Sequence, residues 1–500
     1  MLARLLTFTL DGLDPRPVTV EVDVRPGLPS FTIVGLGDLA VREARERVRA
    51  ALSNQGFELP QRRITVNLAP ASLPKAGPGF DLPIALGVLV ASGQARDAVV
   101  DDVAVIGELS LGGEVRPARG ALPVAEGARD AGLAAVLLAR SQLAEAALVP
   151  GLALRGADSL KEALRALAAG AADERATLPV AADADPTGVP DLADVRGQAV
   201  ARRALEIAAC GSHSLLLVGP PGTGKTMLAR RLPGLLPPMT TAEALEVTRI
   251  QSVCGLHDGR GLVRERPFRA PHHGTSAAGL VGGGSVPRPG ELTLAHRGVL
   301  LLDELPEFRR DALEALRLPL EDGRVSLIRG GRRRIFPARA LLVAAANPCP
   351  CGHGGSRCRC GDHELERYRR RLSGPLLDRI DLHVGCPRPT ARQIAGPPGD
   401  DSATVRRRVE AGRAFAAERR RATGPRRLDH GLGPQAATLL DRCYARGALS
   451  GRGRARVLRL ARTIADLDAS DTIGPHHLGE ALHLRQAIEQ DDDAAAPEAA

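Results

Sequence analysis

Tryptophan is absent from this 500-residue chain, tyrosine occurs twice and phenylalanine eight times. Its cores must therefore be built from Leu, Val, Ala and Ile. An apolar fraction of 44% with 25% charged residues is ordinary for globular protein, so the missing aromatics do not signal disorder. No apolar run reaches the ~18 residues of a membrane-spanning helix. The opening MLARLLTFTLDGLD meets an acidic residue soon after a short apolar run and offers no A-x-A site, which argues against a signal peptide. The expectation is a cytoplasmic protein with no membrane partner. Eight cysteines in such a chain read as metal ligands or buried thiols rather than disulfides. Lysine is scarce too: only Lys75, Lys161 and Lys225 stand among 67 basic residues. A chain so biased toward arginine keeps lysine where a compact ammonium is needed.

One of those lysines lies in Gly219-Pro220-Pro221-Gly222-Thr223-Gly224-Lys225-Thr226. The stretch fits G-x-x-x-x-G-K-[ST], the loop that cradles nucleotide phosphates. Ser214 to Val218 before it reads as a buried strand, and Met227 to Leu232 after it as the start of a helix. Glycines let backbone N–H groups turn toward phosphate oxygens, and the helix N-terminus adds positive field. Lys225 would reach the β- and γ-phosphates of ATP, and Thr226 would ligate Mg²⁺.

About 80 residues on, Gly298 to Glu304 (GVLLLDE) is an apolar run ending in two carboxylates. A parallel strand buried on both faces reads this way, and ligands lie at the carboxyl ends of such strands. Asp303 would complete the Mg²⁺ shell and Glu304 would polarise the attacking water. A third strand, Ala340 to Ala346, ends at Asn347, whose amide would orient that water; capping a turn before Pro348 is the alternative. Further on, Arg379 lies between Asp378 and Asp381. It reads either as a local ion pair or as an arginine reaching a neighbour's γ-phosphate. Ser450 to Arg462 opens an amphipathic helix. There Arg452 is the candidate to fold over the nucleotide, with Arg456 and Arg459 as competitors and a solvated arginine face as the alternative.

The order of these motifs is that of AAA+ ATPases. The wording of 266–284, 288–308, 344–352 and 371–384, with 27–52 and 62–89 near the start, resembles the magnesium-chelatase-like ATPases of the ComM/YifB type over nearly the whole chain. The resemblance implies an α/β fold: a Lon-protease-like α+β domain at 1–170, a linker at 171–190, a P-loop core with a parallel sheet at 191–388 and a helical lid at 389–490. A disordered acidic tail is expected at 491–500. The resemblance also implies a hexameric ring, Arg379 acting in trans, recombinase partners, and ATP-driven branch migration of DNA used in natural transformation.

Lon-type chemistry needs a serine in a G-P-S turn and a lysine base. Here Gly79 stands in the serine's place, and 113–132 holds no lysine, so proteolysis is excluded. Lys75 beside that turn reads as a surface lysine. Two inserts exceed what ATP hydrolysis requires. Arg264 to Gly284 carries adjacent His272 and His273, read as a loop rather than a metal pair. Leu320 to Ala338 reads as a hairpin of strands 325–329 and 334–338 about Gly330-Gly331. Its Arg329, Arg332, Arg333 and Arg334 suit a DNA backbone without sequence readout, as does the formal net charge of +9. Cys349, Cys351, Cys358 and Cys360 form a C-x-C…C-x-C set suited to a tetrahedral Zn²⁺ site, free thiols being the alternative. Cys210, Cys254, Cys386 and Cys443 read as isolated buried thiols.

The reading is an ATPase that moves DNA within a ring. Its rivals are a chelatase motor acting on a metal-insertion or protein partner, and an assembly switch that binds ATP without motor action.

Overall fold

The computed structural model describes residues 1–168, 173–177, 188–284, 287–329, 332–372, 376–423, 431–446 and 449–486. The N-terminal part is a seven-stranded mixed sheet. In spatial order its strands are Ser30–Val34, Arg63–Ala69, Asp14–Arg25, Leu2–Asp11, Val103–Val105, Ala135–Ala139 and Ala153–Ala157. Leu2–Asp11 and Asp14–Arg25 form an antiparallel hairpin, whereas the last three strands run parallel to Leu2–Asp11. The pattern explains the mixture: Asp14–Arg25 alternates buried Val18, Val20, Val22 and Val24 with more exposed residues, while Ala135–Ala139 is buried throughout. Helices Leu39–Asn54 and Asp81–Ser92 cover one face, and Ala121–Asp130 packs on the other.

The middle part carries a five-stranded sheet in the order Phe268–Arg269, Val299–Leu302, Leu341–Ala346, Leu215–Val218, Leu382–Gly385. Every neighbouring pair is parallel. Its central strands are near-continuous apolar runs because both faces are covered. One face joins the helix Ala199–Gly211 and the C-terminal helices Gly451–Leu467 and Pro475–Gln486 in a single core around Leu217, Val384, Val457 and Ile464. The other face packs Leu216, Leu300 and Leu342 against Phe336 and Val325 of the hairpin.

The expected hairpin is present, shifted by one or two residues. Its strands are Arg324–Arg329 and Arg332–Pro337, paired so that Arg329 faces Arg332 and Ile328 faces Arg333. The turn Gly330–Gly331 lies outside the described residues. Alternation along the strands separates the arginines. Arg333 lies on an exposed face with Ser326, Ile328 and Ile335, and Arg329 near the turn is exposed as well. Arg332 and Arg334 are turned instead onto the N-terminal domain, Arg332 donating to the Ser72 carbonyl at 2.7 Å and Arg334 to Asp11.

Part of the expected linker is described. Residues 173–177 belong to the N-terminal domain, where Arg175 donates to the Ala147, Val149 and Leu152 carbonyls and Asp173 accepts from Leu154 N–H. Residues 178–187 and the expected tail at 491–500 lie outside the described residues. Lys75 is not a surface lysine: it is 1% exposed, with Nζ donating to the Pro70 carbonyl, and burial lowers its pKa. Of the four isolated cysteines, Cys210 and Cys386 are buried, and Cys254 and Cys443 half-buried.

Candidate nucleotide site

The phosphate loop leaves the strand Leu215–Val218 and returns as the helix Lys225–Ala229. Two glycines make its path possible. Gly224 holds φ +89°, and a Cβ on Gly219 would fall 2.2 Å from the carbonyl of Cys386, which follows the adjacent strand Leu382–Gly385. Lys225 is buried and donates to the Gly219 carbonyl at 2.6 Å, the Pro220 carbonyl at 3.0 Å and Asn347 Oδ1 at 3.2 Å. Burial lowers the pKa of its ammonium, while the negative charge of Asp303 and Glu304 opposes that shift. Thr223 donates to the Pro220 carbonyl at 2.9 Å and closes the loop on itself.

Asp303 and Glu304 follow the strand Val299–Leu302, and Asn347 follows Leu341–Ala346, so all three stand at the carboxyl ends of parallel strands. Thr226 Oγ1 donates to Asp303 Oδ2 at 2.6 Å. Two oxygen donors that converge in this way fit Mg²⁺, which takes few protein ligands and keeps its remaining positions for water and phosphate. Glu304 adopts left-handed backbone angles, φ 54° and ψ 48°, a conformation that costs a non-glycine residue roughly 1–3 kcal/mol and recurs at functional sites. Its backbone N–H donates to Asp303 Oδ1 at 3.0 Å, and its carboxylate lies 3.5 Å from His273 Nδ1. The sequence offered no role for His273 beyond a loop. Contact with Glu304 arises because the strand Phe268–Arg269 lies beside Val299–Leu302 in the sheet.

Arg379 is elsewhere. It precedes the strand Leu382–Gly385, whose register pairs Leu382 with Leu215 and Gly385 with Val218. Ser214 Oγ donates to the Arg379 carbonyl at 3.0 Å. Arg379 thus stands at the amino ends of the strands, a full strand length from the phosphate loop of its own chain. Its guanidinium pairs with Glu321 at 2.6 Å. At this same end, Arg456 reaches Asp381 Oδ1 at 3.4 Å, and Arg485 donates to the Ile380 carbonyl at 3.1 Å. Burial pushes the Asp381 carboxyl up, but His213 and Arg456 outweigh it and hold the pKa below the usual range. Arg452 is exposed, one turn before Arg456 on the helix Gly451–Leu467. The structure therefore brings Arg456 rather than Arg452 to the Asp381 cluster.

The four cysteines of the C-x-C…C-x-C set converge, their Sγ atoms all within 4.8 Å of one another. Cys349 and Cys351 are 3.3 Å apart, and Cys351 and Cys358 3.9 Å. These separations bracket the ~3.8 Å edge of a tetrahedron with metal–sulfur bonds of about 2.3 Å. Backbone N–H groups of Gly354, Arg359 and Cys351 donate to Cys349, Cys351 and Cys360 respectively. The Arg359 N–H leads the causes that pull the Cys351 thiol down to about 5. His353 turns to the Cys351 carbonyl at 2.8 Å. In the N-terminal domain, a Cβ on Gly79 would lie 3.2 Å from Ile106 Cγ1 and 3.3 Å from Ala118 Cβ, so an apolar wall faces the serine position of Lon-type chemistry.

Three family profiles match the chain: "Magnesium chelatase, subunit ChlI" over 191–394, "Subunit ChlI of Mg-chelatase" over 20–142, and "Magnesium chelatase, subunit ChlI C-terminal" over 399–485. The chain is 44% identical to the uncharacterized protein YifB of Escherichia coli, covering 95% of each sequence. It is 42% identical to the competence protein ComM of Haemophilus influenzae over 95% of this chain and 96% of that one. A 138-residue stretch is 31% identical to Lon protease 2 of Thermus thermophilus, covering 26% of this chain and 17% of that protein. With full-length relatives matched over 95% of the chain and three profiles of one family along it, the chain belongs to the magnesium-chelatase-like AAA+ ATPases of the ComM/YifB type.

Proposed function

We propose that this chain is a ring-forming motor that hydrolyses ATP and uses the energy to move DNA, driving branch migration of recombination intermediates. Lys225 binds the β- and γ-phosphates, Asn347 and Glu304 orient the attacking water, and Thr226 and Asp303 hold Mg²⁺. When bound, the ion would offset the negative charge of the phosphates. Arg379 serves the site of a neighbouring copy, and Arg456 lies where it would join it. The observation that carries this reading is the split between the Lys225 site at one end of the strands and the Arg379 cluster at the other. A single copy has both halves of a hydrolytic site but not in one place.

Six copies in the ring follow from the family resemblance. DNA as the cargo is supported by Arg329 and Arg333 on the exposed part of the hairpin and by the name of the ComM relative. The other partners in this reading are a recombinase and further copies of the chain, and natural transformation in the cytoplasm is the setting. Zinc is the metal that the four-thiolate set suits.

The experiment is ATP hydrolysis measured with and without forked or four-way DNA, with Lys225→Ala as the blank. Strong stimulation, absent in Lys225→Ala, is the expected result. Turnover indifferent to DNA would overturn the motor reading and favour a chelatase-type partner or an assembly switch.

A further inference from the structure

The cysteine knuckle touches the nucleotide site at two points. Cys349 follows Asn347 by two residues, and Asn347 Oδ1 accepts from Lys225 at 3.2 Å. After Cys360 the chain enters the helix Asp362–Leu372, and Tyr368 on that helix donates its hydroxyl to the Asn347 carbonyl at 2.9 Å. Tyr368 is 7% exposed. Both ends of the knuckle therefore close on one residue. Between them, Gly352 lies against the phosphate loop: a Cβ there would come within 2.9 Å of Pro221 Cδ. Gly352 N–H also donates to the Cys349 carbonyl at 2.9 Å, so the part that meets Pro221 is tied to a cysteine.

ATP hydrolysis requires only that a strand end at Asn347. The twelve residues from Cys349 to Cys360 and the helix behind them are additional, and they hold few buried apolar side chains. Without a staple, a segment of this kind has little burial to offset its ordering entropy. Four thiolates around one ion supply such a staple, because metal affinity is then folding free energy of the segment.

We propose that Cys349, Cys351, Cys358 and Cys360 hold one Zn²⁺ that fixes Asn347 and the outer wall of the phosphate loop, making zinc a positioning element of the ATPase site. The proposal rests on the ATPase reading of the Lys225 site. Loss of the ion frees Asn347 on two sides while the Lys225 contacts to Gly219 and Pro220 remain. The turnover number should then suffer more than the affinity for ATP.

The test uses the full chain purified without a histidine tag. Zinc is counted by elemental analysis, and kcat and KM for ATP are measured alongside far-ultraviolet circular dichroism. Wild type should hold about one zinc per chain. Cys358→Ser/Cys360→Ser should lose it, with kcat falling about tenfold or more and KM changing less. Tyr368→Phe should keep its zinc and show the same kcat-weighted loss in milder form, which keeps the inference testable if the cysteine variant unfolds. Wild type without zinc overturns the metal assignment. Zinc present, with kcat unaffected both by its removal and by Tyr368→Phe, overturns the positioning role. Protein that holds zinc but does not hydrolyse ATP overturns the reading on which the proposal rests.

Discussion

Arg334 donates to Asp11 across the boundary between the ATPase core and the N-terminal domain, with the two side chains only 11% and 18% exposed. The hairpin read from sequence as one arginine cluster is thus two surfaces. One is exposed, and the other holds two domains together.

Replacing the exposed pair, Arg329→Ala/Arg333→Ala, should lower DNA-stimulated ATP hydrolysis and leave DNA-free hydrolysis near wild type. It should also flatten the salt dependence of DNA binding by about one unit of slope for each phosphate no longer neutralised. A titration of DNA affinity against salt checks this; an unchanged slope counts against the hairpin as a backbone-binding element.

Arg334→Ala should behave differently. Removing one partner of a largely buried ion pair costs about 3–5 kcal/mol when the other charge stays buried, and less where water reaches it. The expected outcome is weaker docking of the N-terminal domain, seen as a lower melting temperature in a thermal unfolding scan.

Glu304→Gln should bind ATP with near-normal affinity and lose at least about a hundredfold in kcat, because the amide no longer polarises water. Lys225→Ala should lose binding itself. Nucleotide titration beside steady-state kinetics separates the two.

Arg379→Ala should reduce kcat by about 10³-fold or more if its role is a trans finger. Mixed with Lys225→Ala chains, it should regain partial activity, since some interfaces then pair an intact Lys225 with an intact Arg379. Absence of any recovery in the mixture rules out the trans role.

Domain docking should also depend on pH. His257 Nδ1 lies 3.2 Å from Glu145, with the two side chains 2% and 3% exposed. Burial alone would lower the His257 pKa, but the Glu145 hydrogen bond and charge outweigh it and raise it. A folded pKa above the unfolded value means the pair's stabilisation is complete below about pH 6.5 and fades as pH rises through the folded pKa. His257→Gln should therefore lower the melting temperature more at pH 6 than at pH 9. A pH-independent difference would count against the titration.

The nucleotide loop, its strand and the carboxylate strand were legible in the sequence because each motif is contiguous and dictates its own backbone: glycines where the loop turns, apolar runs where strands are buried. Even Asn347 could be located, since it ends such a run. Contacts made by packing were not legible. His273 meets Glu304 only through sheet order, Arg334 meets Asp11 across more than 300 residues, and Lys75 is buried although its neighbours read as a surface turn. Arg452 and Arg456 differ by one helical turn, and only the packing of Gly451–Leu467 against the core separates them.

If Arg379 serves a neighbour's site as proposed, its position opposite Lys225 on the parallel sheet also constrains assembly. Contact between one copy's Arg379 end and another's Lys225 end is heterologous, so it either closes into a ring or runs on as a filament. An open row always has one lone lysine end and one lone arginine end, and therefore one active interface fewer than it has subunits. Under the proposed trans arrangement, only closure gives every chain a full site. Activity per chain should accordingly climb with protein concentration and level off once the rings have closed.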